Sequence, residues 1–190
     1  GTQAVVGDWI GDRAGIMTQA QLMQMIQGGW EHCNHTYWHE KMGELPITRA
    51  ELSLQKGLDY CNSMNFGKSS FFMVNPGGQR SLNEAIEKKY CTVRRLGSGY
   101  NYFPIVDFHE LRSLEPAWET PASEVITWID KAIAEGLWII LLFHQIRPLT
   151  VPGEYRYPDT EYNTIMEYLA SKRTSGELRV LTCGQTISTL

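Results

Sequence analysis

The sequence predicts an α/β fold in which helices cover parallel strands. Short apolar runs typical of strands alternate about six times with segments whose apolar residues recur at helical spacing. Ser/Thr-x-x-Glu/Gln motifs, which can form capping boxes, precede several of the helical segments, and glycines end others. The chain has 190 residues, of which 43% are hydrophobic and 20% are charged. This length and composition predict one domain, spanning residues 1–190, with a core of its own.

The first half of the chain alternates between predicted strands and predicted helices. Each strand is a short apolar run that ends at glycine or at polar residues. These runs are residues 4–6, 30–33, 71–74 and 91–94. The helices are expected to begin at the capping motifs of Thr18, Thr48 and Ser81, and Gly28 is expected to end the first of them.

The second half begins with an aromatic stretch, residues 97–121, that shows no clear period. A helix is predicted to begin at Ser123 and to end at Gly136. The uniformly apolar residues 137–143 predict a strand that is buried on both faces. A polar, proline-rich loop, a last helix and a closing strand at residues 178–181 complete the predicted order.

The composition argues against two classes of function. The net charge is −4, and the lysines and arginines are scattered, so the chain has no basic stripe for nucleic acid. The longest apolar run is far shorter than the roughly 20 residues of a membrane span, and the N-terminus does not resemble a signal peptide. The four cysteines form no Cys-x-x-Cys pair, which predicts buried thiols and leaves the cellular compartment open.

Three polar segments fall at the ends of predicted strands. Ligands bind at the carboxyl ends of strands in parallel α/β folds, so we expect these segments to share one rim. His35 and His39 share one face if the chain turns helically after its strand, so both imidazoles can bind one metal ion. His144 follows the most apolar strand, where a half-buried imidazole suits proton transfer. Residues 75–78 contain glycines that let the backbone approach a ligand closely.

Each of these features also has a structural interpretation. Histidines four residues apart occur by chance on helix surfaces, and a histidine at a strand end is often a hydrogen-bonded structural residue. Pro-Gly-Gly is an ordinary turn in most proteins. The occurrence of all three features at predicted strand ends favours a functional site.

In their order along the chain, these motifs resemble those of NodB-like polysaccharide deacetylases, which form carbohydrate esterase family four. Residues 35–39, His-Thr-Tyr-Trp-His, match the family's His-Ser/Thr-x-x-His motif. Residues 71–78 resemble its third motif, a strand that ends in Pro-x-Gly. Residues 137–146 resemble its final motif, an apolar strand that delivers a histidine. The resemblance covers nearly the whole chain.

The resemblance implies a distorted (β/α) barrel and metal-dependent removal of N-acetyl or O-acetyl groups from an amino-sugar polysaccharide. It implies that His35 and His39 bind a divalent ion, usually zinc, and that His144 is the general acid that protonates the leaving amine. The implied substrate contacts are Pro76, Gly77 and Leu142. The implied partner is an acetylated polysaccharide or oligosaccharide, and the family's usual setting is secreted or at the cell surface.

Two departures from the family pattern bear on catalysis. The first motif, Thr-Phe-Asp-Asp-Gly, is absent, although it supplies the third metal ligand and the general base. We therefore expect an incomplete barrel that lacks its first strand, and impaired catalysis. Asp8 and Asp12 follow a later strand and are not expected to replace that motif. The third motif often carries an arginine where this chain has Val74, and Arg112 is either a family arginine from a later position or an ion-pair residue.

Other interpretations stay open at the level of the sequence. The main alternative is a catalytically inactive domain of the same fold that binds glycans or acts as a scaffold. Another is an unrelated α/β protein in which the histidines are structural. Four aromatic residues either line a sugar groove or pack the long loop: Tyr100, Tyr102, Phe103 and Trp118.

Overall fold

The computed structural model describes residues 1–11, 15–65, 71–78, 84–91, 93–150, 152–153 and 155–190. The strands are β1 (Thr2–Val5), β2 (Glu31–Asn34), β3 (Phe72–Val74), β4 (Val93–Ser98), β5 (Leu111–Ser113), β6 (Gln145–Arg147) and β7 (Arg156–Pro158). The α-helices are α1 (Gln19–Gln27), α2 (Ile47–Ser63), α3 (Glu84–Tyr90), α4 (Ala122–Glu135), α5 (Asp159–Thr174) and α6 (Cys183–Ile187). The predicted mixture of helices and parallel strands is confirmed.

The chain forms two compact units. The first unit contains Gly1–Leu96, Asp107–Leu111 and Leu181–Leu190. The second unit contains Gly97–Val106 and Arg112–Val180. Each unit is described by itself below.

The first unit contains a parallel sheet. Its strands follow the order β1-β2-β3-β4, each parallel to its neighbour. In the register, Asn34 lies opposite Val5 on one side and Met73 on the other. The carboxyl ends of β1, β2 and β3 therefore meet at one edge, because parallel strands in register end together.

The start of α1 follows the predicted capping box. The Thr18 hydroxyl accepts a hydrogen bond from the Gln21 amide at 3.3 Å, and the Gln21 side chain accepts one from the Thr18 amide at 2.8 Å. Leu22 points inward and is fully buried, and Gly28 caps the end of the helix. Local hydrogen bonding is sufficient to set this boundary.

The predicted start of α2 at Thr48 is wrong. The helix begins at Ile47, after Pro46, and Thr48 lies within its first turn. The φ of Pro46 is −56°, and its fixed ring favours this entry into the helix without a side-chain cap. The predicted start of α3 at Ser81 lies outside the described residues. The strand predicted at residues 91–94 is displaced and forms β4.

The second unit has its core between α4 and α5. Val125 and Ile129 of α4 pack with Ile165 of α5, and all three are fully buried. A carboxylate oxygen of Glu161 accepts a hydrogen bond from the Ala122 amide at 2.6 Å, so α5 satisfies an amide at the start of α4. Gly136, at a φ of 65°, caps the end of α4 as predicted.

The apolar residues 137–143 do not form the predicted doubly buried strand. They are half-buried, and among the described residues they pair through isolated bridges only, from Trp138 to Asn101 and from Leu141 to Leu114. The strand β5 has three residues and Pro116, which lacks an amide proton, follows soon after, so its ladder is short. The run is apolar because alternate side chains, those of Ile139, Leu141 and Phe143, pack against the core between α4 and α5.

Three further expectations from the sequence are corrected. Residues 178–181 belong to none of the described strands and lead to α6, which Thr182 caps through a capping box. The long loop at residues 97–121 contains the end of β4 and all of β5. The proline-rich loop contributes the parallel pair β6 and β7. These short pairings leave no hydrophobic period in the sequence, because three residues are too few to show one.

The cysteines are mostly the buried thiols that were expected. Cys33, Cys61 and Cys91 are buried, and Cys183 is half-buried. Burial raises the pKa of Cys61 and of Cys91 to about 12, so both remain protonated at neutral pH. Among the helices in the described part of the chain, none has both the length and the apolarity to cross a bilayer.

Candidate functional site

The loop after β2 brings two imidazoles together, although it does so without a helical turn. Thr36 and His39 both have a φ of 60°, in the left-handed region, and the expected helical turn is therefore wrong. The rings of His35 and His39 nevertheless lie 4.8 Å apart between centroids, edge to face. Two left-handed residues reverse the chain tightly enough to place both rings on one side.

The side chain of Asn34 anchors this loop to α2. Its Oδ1 accepts a hydrogen bond from the Thr36 amide at 2.9 Å, and its Nδ2 donates to the Leu54 carbonyl at 3.4 Å. Asn34 is fully buried beside Gly57 of α2, where any Cβ would overlap the Asn34 amide group. A glycine at this helical position is therefore needed for the close approach of the loop.

Backbone hydrogen bonds hold the same loop between β1 and α2. The His35 amide donates to the Val5 carbonyl at 3.0 Å. The Tyr37 amide donates to the Ser53 carbonyl at 3.2 Å, and the Tyr37 carbonyl accepts from the Asp8 amide at 3.0 Å. The loop is thus bound on both sides by regular structure, which limits its freedom.

The tautomer of His35 follows from its hydrogen bond to β3. His35 Nδ1 lies 2.5 Å from the carbonyl oxygen of Val74. A carbonyl oxygen only accepts, so Nδ1 carries the proton and Nε2 holds the lone pair in the neutral ring. Metal-binding histidines commonly make this bond through the other ring nitrogen. The bond also shows that the predicted sites after β2 and β3 adjoin.

The surroundings of His39 include residues that follow β1. The Trp9 ring lies 4.6 Å from the His39 ring between centroids. Asp8 is brought next to this loop by its backbone bond. Among the described residues, however, no group of three or more His, Cys, Asp or Glu side chains is arranged to hold a metal ion. Asp12 lies outside the described residues.

Trp38, between the two histidines, is held by cations from α2. The Arg49 guanidinium carbon lies 3.8 Å from the Trp38 ring centroid, and the Lys56 ammonium lies 4.9 Å from it. Residues seven apart on a helix lie on the same side, so both cations reach the same ring. Arg49 Nε also donates to a Glu40 carboxylate oxygen at 2.7 Å, which fixes the guanidinium. We call this arrangement of Arg49, Lys56 and Glu40 around Trp38 the clamp, and sequence analysis did not identify it.

The turn after β3 contains the Pro-Gly-Gly segment. Gly77 and Gly78 have φ values of 64° and 65°, which favour glycine, and Pro76 is buried whereas Gly77 is exposed. Buried Asn75 donates to a Glu87 carboxylate oxygen at 2.9 Å, and this bond fixes the start of the turn. The turn therefore has a defined shape beside Val74, whose carbonyl binds His35.

In the second unit, His144 is paired with a carboxylate. Its Nε2 lies 2.9 Å from a carboxylate oxygen of Glu115, and each side chain is 39% exposed. Leu142 is half-buried, and its amide donates to the Leu114 carbonyl at 2.9 Å. Sequence reasoning missed Glu115, because the three-residue strand β5 before it shows no hydrophobic period in the sequence.

The remaining candidates from the sequence lie mostly at the surface of the second unit. Arg112 is exposed, and the Asn101 side chain bonds both its amide and its carbonyl, at 2.8 and 2.9 Å. Tyr102 and Phe103 are exposed. Tyr100 and Trp118 are half-buried.

The comparison with known proteins identifies the fold. No protein-family model and no curated protein matches the chain. A polysaccharide deacetylase from Bacillus cereus superposes with a TM-score of 0.59 at 14% identity, over 67% of this chain and 41% of that one. A protein from Bacillus anthracis described as a polysaccharide deacetylase gives the same values. A family 4 acetyl xylan esterase from Clostridium thermocellum, solved with cobalt, gives 0.51 at 18% identity, over 90% and 70% of the two chains.

These similarities confirm, at the level of the fold, the resemblance that the motifs indicated. The chain has the α/β fold of polysaccharide deacetylases and family 4 carbohydrate esterases. It spans 41% of the length of the two Bacillus proteins.

Proposed function

We propose that the chain is part of a metal-dependent deacetylase that acts on an acetylated amino-sugar glycan, and that its own catalysis is impaired. The observation that carries the proposal is the His35–His39 pair, with ring centroids 4.8 Å apart at the end of β2, in a fold shared with deacetylases. The proposed hydrolysis can remove acetyl groups from either nitrogen or oxygen atoms of the glycan. A secreted or cell-surface setting, where such glycans occur, is part of the proposal.

The imidazole pair fits a divalent cation such as zinc. The bond from His35 Nδ1 to Val74 leaves Nε2 as the donor atom, and the adjacent His39 ring can supply the second nitrogen. A bound ion of this kind polarises a carbonyl and lowers the pKa of a water molecule. The clostridial esterase with the same fold was solved with cobalt, an ion that imidazoles also bind.

His144 and Glu115 are suited to hold and deliver a proton. A Glu115 carboxylate oxygen lies 2.9 Å from His144 Nε2 and can hold the imidazole ring in place. The opposite ring nitrogen, Nδ1, is then the atom that would pass a proton to a departing amine. Leu142, two residues earlier, offers an apolar side chain to the acetyl methyl group.

We propose impaired catalysis because the third metal ligand and the general base have no counterpart among the described residues. Among the described residues no carboxylate joins His35 and His39 in a group of three. The strand β1 has only β2 as a neighbour among the described strands, so its other side can accept a strand that carries the family's first motif. In the family that strand carries the aspartates for metal binding and for the general base.

Acetate release tests this proposal when the missing motif is supplied. One protein is the chain itself, and the other carries a strand ending in Thr-Phe-Asp-Asp-Gly fused before Gly1. With zinc and acetylated chitooligosaccharides, we expect the chain alone to release acetate only at the background rate. We expect the fusion to release acetate in a zinc-dependent way. In the fusion, His35→Ala and His144→Asn should both abolish release. A folded, zinc-loaded fusion that deacetylates none of the acetylated glycans would contradict the proposed activity, and full activity of the chain alone would contradict the impairment.

A further inference from the structure

An exposed aromatic side chain lies directly against His144. The Tyr155 ring is 5.1 Å from the His144 ring between centroids, at an angle of 68° between planes. Tyr155 is nevertheless 61% exposed, so much of its ring faces solvent.

The backbone around Tyr155 is held firmly despite this exposure. Arg156 donates from its amide to the Gly153 carbonyl at 3.2 Å and from its guanidinium to the Pro152 carbonyl at 3.0 Å. A Cβ on Gly153 would lie 3.1 Å from the Arg156 side chain, so glycine gives the guanidinium room. The Tyr155 carbonyl accepts from the amide of Gln145, the residue after His144, at 3.1 Å. The pairing of β6 with β7 thus fixes Tyr155 relative to His144.

Tyr155 also adopts a backbone conformation that tyrosine disfavours. Its φ is 59°, in the left-handed region, which non-glycine residues adopt at a cost in free energy. This conformation turns the ring out of the core and beside the imidazole. Burial of the ring does not offset that cost, because most of the ring is exposed.

The chemistry around Tyr155 suits a sugar ring. A pyranose has an apolar face that packs on an aromatic ring, while its hydroxyls need polar partners at the edge. Tyr155 supplies the rigid aromatic surface, and the neighbouring His144 and Glu115 side chains supply hydrogen-bond donors and acceptors beside it. A tyrosine ring also loses little side-chain freedom on binding.

We infer that Tyr155 binds a pyranose ring of the acetylated glycan and holds it beside His144. This inference rests on the proposed function and deepens it, because it names a binding residue on the proline-rich loop. The tyrosine acts by binding the sugar ring, and its hydroxyl is not required.

Calorimetric titration of the chain with an N-acetylglucosamine oligosaccharide tests the inference. Tyr155→Asn removes the ring but tolerates the left-handed backbone, and Tyr155→Phe keeps the ring. We expect Tyr155→Asn to weaken binding about tenfold and Tyr155→Phe to stay within about twofold of wild type. Val106→Asn, at a residue that is 97% exposed, is the control and should leave binding unchanged.

The possible outcomes separate the two proposals. If wild type binds the oligosaccharide and Tyr155→Asn binds it equally well, the role of Tyr155 is wrong while the proposed function stands. If wild type binds no acetylated oligosaccharide at millimolar concentration, the inference fails together with the glycan part of the proposed function. Thermal unfolding of each variant shows whether a loss of binding reflects a loss of fold.

Discussion

The Nδ1 proton of His35 is donated to the carbonyl oxygen of Val74, and this bond sets which nitrogen of the ring is free to bind a ligand. Nitrogen-15 spectra of the metal-free chain should therefore show that the neutral His35 ring is the Nδ1-protonated tautomer. Zinc should then shift the Nε2 signal and leave the Nδ1 signal in place. A His35 ring protonated at Nε2 in the metal-free chain would contradict this geometry.

Arg49 should contribute to the stability of the histidine loop through Trp38 and Glu40. Arg49→Gln removes a cation over the Trp38 ring and the partner of a partly buried carboxylate. We expect the free energy of unfolding to fall by about 1–2 kcal/mol, measured by urea denaturation. Arg179→Gln, at an exposed position, should change it by less than about 0.5 kcal/mol. Equal unfolding energies for the two variants would show that the clamp is not stabilising.

Glu115 should matter for chemistry and little for stability. Its pair with His144 is well exposed, so Glu115→Gln should change the free energy of unfolding by less than about 1 kcal/mol. In the fusion described above, the same substitution should reduce acetate release about tenfold or more, because the His144 ring loses the carboxylate that holds it in place. Unchanged release from folded Glu115→Gln would remove Glu115 from the proposed mechanism.

Buried His32 should make the fold sensitive to mild acid. His32 is fully buried and its Nε2 lies 2.9 Å from the Leu22 carbonyl, and burial lowers the pKa of its imidazole. The unfolded chain therefore takes up a proton below about pH 6.5 that the folded chain still excludes. Stability should be complete above that pH and decline as the pH falls towards the lowered folded-state pKa.

Urea denaturation of wild type and His32→Gln at several pH values between 5 and 8 measures this dependence. The variant is expected to be less stable at pH 8 but to lose less stability on acidification. Parallel curves for the two proteins would assign the acid sensitivity to other groups.

Local signals in the sequence predicted some elements correctly. The Thr18 capping box and the Gly136 cap depend on hydrogen bonds within a few residues, so the sequence alone reveals them. The strand expected at residues 137–143 failed because a strand also needs partners, and Leu114 and Asn101 offer only isolated bridges. The apolar character of residues 137–143 correctly predicted that the run packs in a core. It did not predict how the backbone of the run pairs with other segments.

The candidate site was predicted in part. The closeness of His35 and His39 was expected from a helical turn, but left-handed Thr36 and His39 produce it instead, and the residue types do not reveal them. Glu115 and Tyr155 were missed because their role depends on contact with His144, which the residue types alone do not reveal.

The central claim is that His35 and His39 bind one metal ion, and zinc titration of the metal-free chain by calorimetry tests it most directly. We predict weak binding of a single ion, weakened about tenfold or more by His35→Ala and by His39→Ala. His109→Ala, at a histidine bonded to the Cys91 carbonyl, is the matched control and should bind zinc like wild type. No zinc binding, or binding that persists unchanged in both histidine variants, would contradict the claim.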